Sequence, residues 1–377
     1  MRFTGPDVPR RRGGGGTRWL AATVGVAAVL VGAAFPVDAA ASPTPVAVTT
    51  RCEVRDGRLT EISGMVATDD GFVMINDGAD DESRRRVFFL DRACAVVRTV
   101  SYPSTPRDTE DLAVGADGTL WVADIGDNNR SRETVAVWKL APGADAPVLY
   151  RMAYPDGPHD AEAMLVTGDG RPLIVTKYSA VLYAPTAALR TGRTVPLARV
   201  GQVRLPASTT SNPFSALGRT AVTGAATAPD GRRVVLRTYA DAFEFEVPDG
   251  DVVAALTGST PSVTPLPDEP QGESITYSGD GRSLLTVSET AGQPPGTRAP
   301  VLRYPRPAAV ASTPPPSTPP PTTAGSTTTP GPSAVATSDR TGVGRTPIVL
   351  AGACGLGAVV VGLLVARRRR RGSPARR

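Results

Sequence analysis

The chain has 377 residues, with 41 Lys and Arg against 36 Asp and Glu, and a formal net charge of +5. The basic excess is confined to the two ends, five arginines before Trp19 and seven after Ala366. The long segment between them is net acidic, which excludes the basic face that nucleic-acid binding needs. A single histidine and three cysteines leave no H-E-x-x-H or paired C-x-x-C zinc site, and there is no Walker loop or dinucleotide fingerprint.

Residues 1–41 read as a secretory signal peptide. Arg2 and Arg10-Arg11-Arg12 form a basic n-region, an apolar run follows from Trp19 to Phe35, and Ala39-Ala40-Ala41 closes it as a cleavage site. An exported domain spans 42–307, long enough to bury a substantial core. Cys52 and Cys94 both fall within it, in an oxidising setting, and are expected to pair.

Within that domain short strand-like runs alternate with turns. The strongest signal is an Asp-Gly dipeptide between two mostly small or apolar stretches, at Asp70-Gly71, Asp117-Gly118, Asp169-Gly170, Asp230-Gly231 and Asp280-Gly281. Each reads as a β-hairpin. Two further strands are expected after most hairpins, as at 86–90 and 95–100 after the first. Val252 to Leu256 reads as a helical turn. The fifth hairpin lacks an outer strand, which the N-terminal segment 46–55 is expected to supply. Hairpins recurring every 47–61 residues or so predict an all-β fold of the β-propeller type, with five blades favoured and six as the alternative.

Residues 308–346 are rich in Pro, Thr and Ser and read as an extended stalk. Residues 347–366 are uncharged and apolar over a bilayer's thickness, and are expected to form one transmembrane helix. The basic tail 367–377 then stays cytoplasmic and leaves the N-terminal domain outside, a single-pass cell-membrane topology.

The candidate site follows from the repeat. Seven residues before each turn's Asp stand Ser63, Glu110, Glu162, Thr223 and Glu273, and nine before stand Glu61, Asp108, Asp160, Ala221 and Gln271. Period-two alternation puts these two positions on one strand face. At the far end of the second strands come Asp77, Asp124, Lys177, Arg237 and Glu289. Polar groups from all copies are thus expected around one mouth of the central channel.

Carboxylates gathered there repel unless a cation compensates. Calcium, which takes about six to eight oxygens in flexible geometry, suits Glu61, Asp108, Glu110, Asp160, Glu162 and Glu273 as ligands. Lys177 and Arg237 would make the other half of the mouth basic and, with Asp77, Asp124, Asp127 and His159, bind an anionic ligand such as a phosphate ester. His159 lies beside Asp160, where a general base is conceivable, but no G-x-S-x-G nucleophile elbow accompanies it.

The second copy runs from Asp111 through Asp117-Gly118 to Val122-Ala123-Asp124 and the loop Gly126-Asp127-Asn128-Asn129-Arg130. It resembles an NHL repeat, whose pattern is strand, Asp-Gly turn, strand ending V-A-D, and a G-N-N-R-like loop. The other copies keep the turn and lose the loop. The acidic starts Asp108-Thr109-Glu110 and Asp160-Ala161-Glu162 more loosely resemble secreted phytase-like and esterase-like propellers of actinobacterial type, calcium-dependent hydrolases among them. The resemblance implies the propeller fold. It carries less about activity, because propellers serve binding and catalysis alike. The sequence therefore favours a ligand-binding or protein-interaction module facing an extracellular or cell-wall ligand. A calcium-dependent phosphoesterase or esterase is the alternative.

Overall fold

The structure, a computed structural model, describes residues 47–79 and 81–306. The expected signal peptide 1–41, stalk 308–346, apolar span 347–366 and basic tail 367–377 lie outside the described residues. Among the described residues no helix is long and apolar enough to cross a membrane.

The hairpins form where the Asp-Gly turns predict them. Strands β1 (Thr49–Val54), β2 (Ile62–Thr68), β3 (Gly71–Asn76), β4 (Arg86–Asp91) and β5 (Val96–Ser101) come first. Then follow β6 (Asp111–Val114), β7 (Leu120–Asp124), β8 (Val135–Leu140), β9 (Val148–Ala153), β10 (Ala161–Val166), β11 (Pro172–Thr176), β12 (Val181–Pro185) and β13 (Thr194–Gln202). After a short helix α1 (Ser215–Gly218) come β14 (Val222–Thr227), β15 (Arg233–Thr238) and β16 (Asp241–Glu246). Helix α2 (Val252–Gly258), β17 (Ser262–Pro265), β18 (Gln271–Tyr277), β19 (Ser283–Glu289) and β20 (Ala299–Pro305) complete the order. Asp251 caps α2 by accepting from Ala254 N.

Sheets run β2-β3-β4-β5, β14-β15-β16-β17 and β1-β20-β19-β18. An eight-stranded sheet consists of the antiparallel runs β6–β9 and β10–β13, joined where Thr194–Pro196 pairs in parallel with Arg151–Ala153. The first strand thus adds to the last sheet, Thr49 opposite Arg303 and Val54 opposite Ala299. That closure covers an edge that would otherwise stay exposed.

The inner strands β2, β6, β10, β14 and β18 pack each against the next, and β18 against β2. Apolar layers fill the spaces between neighbouring sheets. Val66 and Ile75 meet Leu112 and Trp138; Trp121 and Val137 meet Met164 and Tyr183; Leu165 and Val175 meet Leu236 and Phe243. Val235 then meets Ile275 and Leu284, and Val287 and Val301 return to Met65 and Phe88. Because both faces are covered, strands such as Leu120–Asp124 are buried at every residue, and the fold is propeller-like.

The disulfide Cys52–Cys94 is formed, with a Cα–Cα distance of 5.9 Å. It ties β1, in the closing sheet, to the β4–β5 turn of the first sheet, and so staples the seam where the ring shuts.

The sequence expectation of plain alternation along the inner strands is corrected by a repeated irregularity. Register shifts fall between Ile62 and Gly64, Ala161 and Ala163, Val222 and Gly224, and Gly272 and Ser274. The extra residue is Ser63, Glu162, Thr223 or Glu273, the position seven before the turn. In the remaining copy Glu110 N donates to Ala123 O, the residue that Asp111 already faces in the ladder. A bulge re-aims the side chain it carries, so the repeat marks a bulge rather than a simple strand face.

Candidate functional site: an acidic mouth

The inner strands begin at one end of the ring, and the bulged residues meet there. Ser63 and Thr223 spend their hydroxyls on the neighbouring inner-strand segment, donating to Thr109 O and Gly272 O. The glutamates do not. Oxygens of Asp77, Asp108 and Glu110 all lie within 4.8 Å of one another. Asp77 is fixed at the end of β3 by its N–H, which donates to Glu61 O at 2.7 Å. Gly126 walls the group: a Cβ there would stand 1.9 Å from Glu110 Oε1 and 2.7 Å from Asp108 Oδ2. Only a residue without a side chain allows that approach.

Glu162, Glu273 and Glu289 adjoin this trio. Glu273 Oε1 accepts from Tyr239 OH at 3.0 Å and from Gln271 Nε2 at 3.3 Å. Lys177 forms a buried ion pair with Glu162. Among the described residues, Glu162 Oε2 and Glu289 Oε1 are buried with no hydrogen-bond partner.

Burial pushes Asp77 and Glu110 well above the usual carboxylate range, and neighbouring carboxylates push them further. Asp108 is raised mainly by burial. Glu162 is also held well above its ordinary value by burial, against the pull of Lys177. Burial and Glu273 take Glu289 up to about 12. Burial works against the Lys177 ammonium, but Glu162, Glu273 and Glu110 hold its pKa well above the ordinary value. Such a site carries more carboxylate than one ammonium balances, and so holds protons or a cation.

The other sequence-predicted residues divide by their partners. Glu61 is engaged by Arg84 and stands outside the trio. Asp160 Oδ1 accepts from Asp127 N, and Asp127 in turn accepts from Ser131 N and Arg132 N, so both build the 124–132 loop. Asp124 accepts from Arg132 Nη2, Trp138 Nε1 and the backbone N of Arg107 and Asp108. It holds the segment that presents Asp108 rather than facing a ligand.

Arg237 requires a correction. Its side chain is 0 % exposed, with Nη2 donating to Glu269 Oε2 at 3.0 Å and Nη1 to Ser274 O at 2.8 Å. It is a structural ion pair in the wall, and the expected basic half of the mouth reduces to Lys177. His159 Nε2 lies 2.9 Å from Asp156 Oδ1 and 3.0 Å from Tyr183 OH, in a ring cluster with Tyr154. It therefore belongs to a side-chain cluster bordering the loop, not to the carboxylate trio.

Sequence reasoning missed Tyr239 and Glu269. Tyr239 lies just past the repeat position of Arg237, and nothing in its neighbours announces its bond to Glu273. Glu269 also accepts from Thr286 and Tyr304 hydroxyls, a satisfied buried acceptor whose signal is invisible without the fold.

No family model and no curated protein matches this sequence. Solved structures similar to it include a streptogramin B lyase (10% identity, 68% of this chain and 97% of that one, TM-score 0.39). A gluconolactonase from Xanthomonas campestris is also similar (14%, 65% and 72%, TM-score 0.37). So is the soluble aldose sugar dehydrogenase from Escherichia coli (11%, 69% and 100%, TM-score 0.36). At these scores the likeness carries no argument, and the fold rests on the sheets and layers above.

Proposed function

We propose that this protein is a five-bladed propeller, each half of the eight-stranded sheet counting as one blade, held outside a cell membrane by its stalk and C-terminal helix. Its acidic mouth binds a divalent cation and, through it, an extracellular or cell-wall ligand. The observation that carries the reading is the convergence of Asp77, Asp108 and Glu110 within 4.8 Å, beside buried carboxylate oxygens that have no partner among the described residues. An all-carboxylate donor set favours a hard cation, calcium by its tolerance of irregular geometry. When bound, calcium would supply positive charge and open coordination positions for ligand oxygens.

A binding module is favoured over a hydrolase. His159, which a hydrolytic reading would recruit as base, is tied to Asp156 and Tyr183, and Arg237 has no reach to a substrate.

The test is thermal unfolding of the full chain in detergent solution, with calcium and with chelator. A cation binding only the native state at about 100 times its Kd adds about 2.7 kcal/mol. D108N and E110Q should abolish the calcium shift, while R237A, although destabilising, should retain it. A shift that is absent in the native sequence, or unchanged in D108N and E110Q, would sink the proposal.

A further inference from the structure

On the face opposite the mouth, where the Asp-Gly turns lie, the closing seam forms an open cavity of about 380 Å³. Three arginines from three elements line it: Arg51 of β1, Arg92 of the β4–β5 turn and Arg303 of β20. None of the three forms an ion pair within 4 Å among the described residues, and only Arg303 acts electrostatically on the lining carboxylate Asp280.

Their positions are set by the fold rather than by chance at a surface. Arg51 is the bulged residue of β1, between Thr50 and Cys52 in the β1–β20 register, and a bulge re-aims its side chain. The Cys52–Cys94 disulfide joins the segments that carry Arg51 and Arg92. Arg92 is held from below, its Nε and Nη2 donating to Asp69 O at 3.0 and 2.7 Å. Arg303 Nε donates to Ser283 Oγ at 2.8 Å. Each anchor leaves guanidinium N–H groups uncommitted. The carboxylate in the lining, Asp280, already accepts from the Ser278 hydroxyl and from Arg282 N. Phe72 and Leu285 supply an apolar side.

We propose that this cavity is a second ligand site, for the oxyanion of a phosphate ester. Three arginines lining one space suit a multiply charged oxyanion better than a lone carboxylate, since a guanidinium engages phosphate oxygens through its planar fork. The apolar side then lies against the ester's carbon substituent. The site is independent of the acidic mouth in position and in charge.

The experiment is calorimetric titration of the full chain in detergent solution with inorganic phosphate and with glycerophosphoglycerol, the soluble headgroup of an anionic phospholipid. Saturable binding of at least one at millimolar concentration or below is expected. Preference for the diester assigns a lipid-headgroup source, and preference for inorganic phosphate over the diester overturns the ester assignment. R51A, R92A and R303A should each weaken binding about tenfold or more. R51A keeps the test readable if R303A disturbs β19–β20, because the Arg51 side chain makes no hydrogen bond or ion pair among the described residues. All three should leave the calcium response of the mouth as it is. No saturable binding of either probe, or equal affinity in R51A and the native chain, overturns the proposal.

Discussion

Asp111 tests how the ring is held at its axis. Its carboxylate opens β6 and is wholly buried, and it gathers backbone N–H groups from three inner strands. Leu112 N donates at 2.8 Å, Met164 N of β10 at 2.8 Å and Ala225 N of β14 at 3.1 Å. Burial pushes the carboxyl well above the usual range, and the three N–H bonds oppose that shift. In D111A three buried donors lose their acceptor, at about 1–3 kcal/mol each. The loss of about 3–9 kcal/mol compares with about 5–15 kcal/mol for a whole domain. In D111N one oxygen can still stand where Oδ2 stands, so the β10 and β14 donors stay satisfied and the cost falls to about 1–3 kcal/mol. Thermal unfolding separates the two. At about 2–4 °C per kcal/mol for a domain of this size, D111A should lower the midpoint by roughly 6 °C or more, and D111N by clearly less. Equal losses in the two variants, or a D111A loss below about 1 kcal/mol, would refute the reasoning that these donors depend on the carboxylate.

Two further outcomes concern the mouth. Asp77, Asp108, Glu110, Glu162 and Glu289 all have raised folded-state pKa values. The folded state therefore keeps protons that the unfolded chain sheds. The resulting stabilisation is complete below the ordinary carboxylate range and is lost as pH rises through the raised values. In chelator the unfolding midpoint should accordingly fall between about pH 5 and pH 8, and calcium should shrink the fall by replacing protons; a rise with pH in chelator would contradict the sign. G126A should remove the calcium shift, because its Cβ would occupy the space of Glu110 Oε1, and calorimetry with calcium checks it. A G126A chain that binds calcium as tightly as the native one would mean that Glu110 is not a ligand.

Much of the architecture was legible because turn chemistry is local. Each Asp-Gly pair fixes a hairpin through the backbone freedom of its glycine, with Gly118, Gly170, Gly231 and Gly281 all at positive φ. The missing outer strand pointed to the N-terminal segment, and β1 does pair with β20. The bulges were not legible. Small and apolar residues surround Ser63 and Glu162 alike, and the extra residue shows only once a partner strand sets the register. Arg237 misled for a related reason. Its sequence offset matches that of Asp77 and Asp124, but whether a long side chain reaches the axis or turns into the wall depends on Glu269, which lies outside the repeat. Among the carboxylates, Glu162 and Glu273 follow their bulges to the mouth, whereas Glu61 and Asp160 are taken up by Arg84 and Asp127 N, partners that no strand pattern announces.

The closing seam also bears on the order in which the molecule can be made. β1 is the first described strand to be made as the chain grows from its N-terminus, yet its ladder partner β20 is the last. Such long-range pairing delays completion until nearly the whole domain is present. The Cys52–Cys94 bond needs only about the first fifth of that span. Once formed, it parks β1 beside the first sheet, next to where β20 must arrive, and spares the early chain a loose, pairing-competent strand. A link that looks like reinforcement in the finished ring thus also acts as a placeholder while the ring is being built.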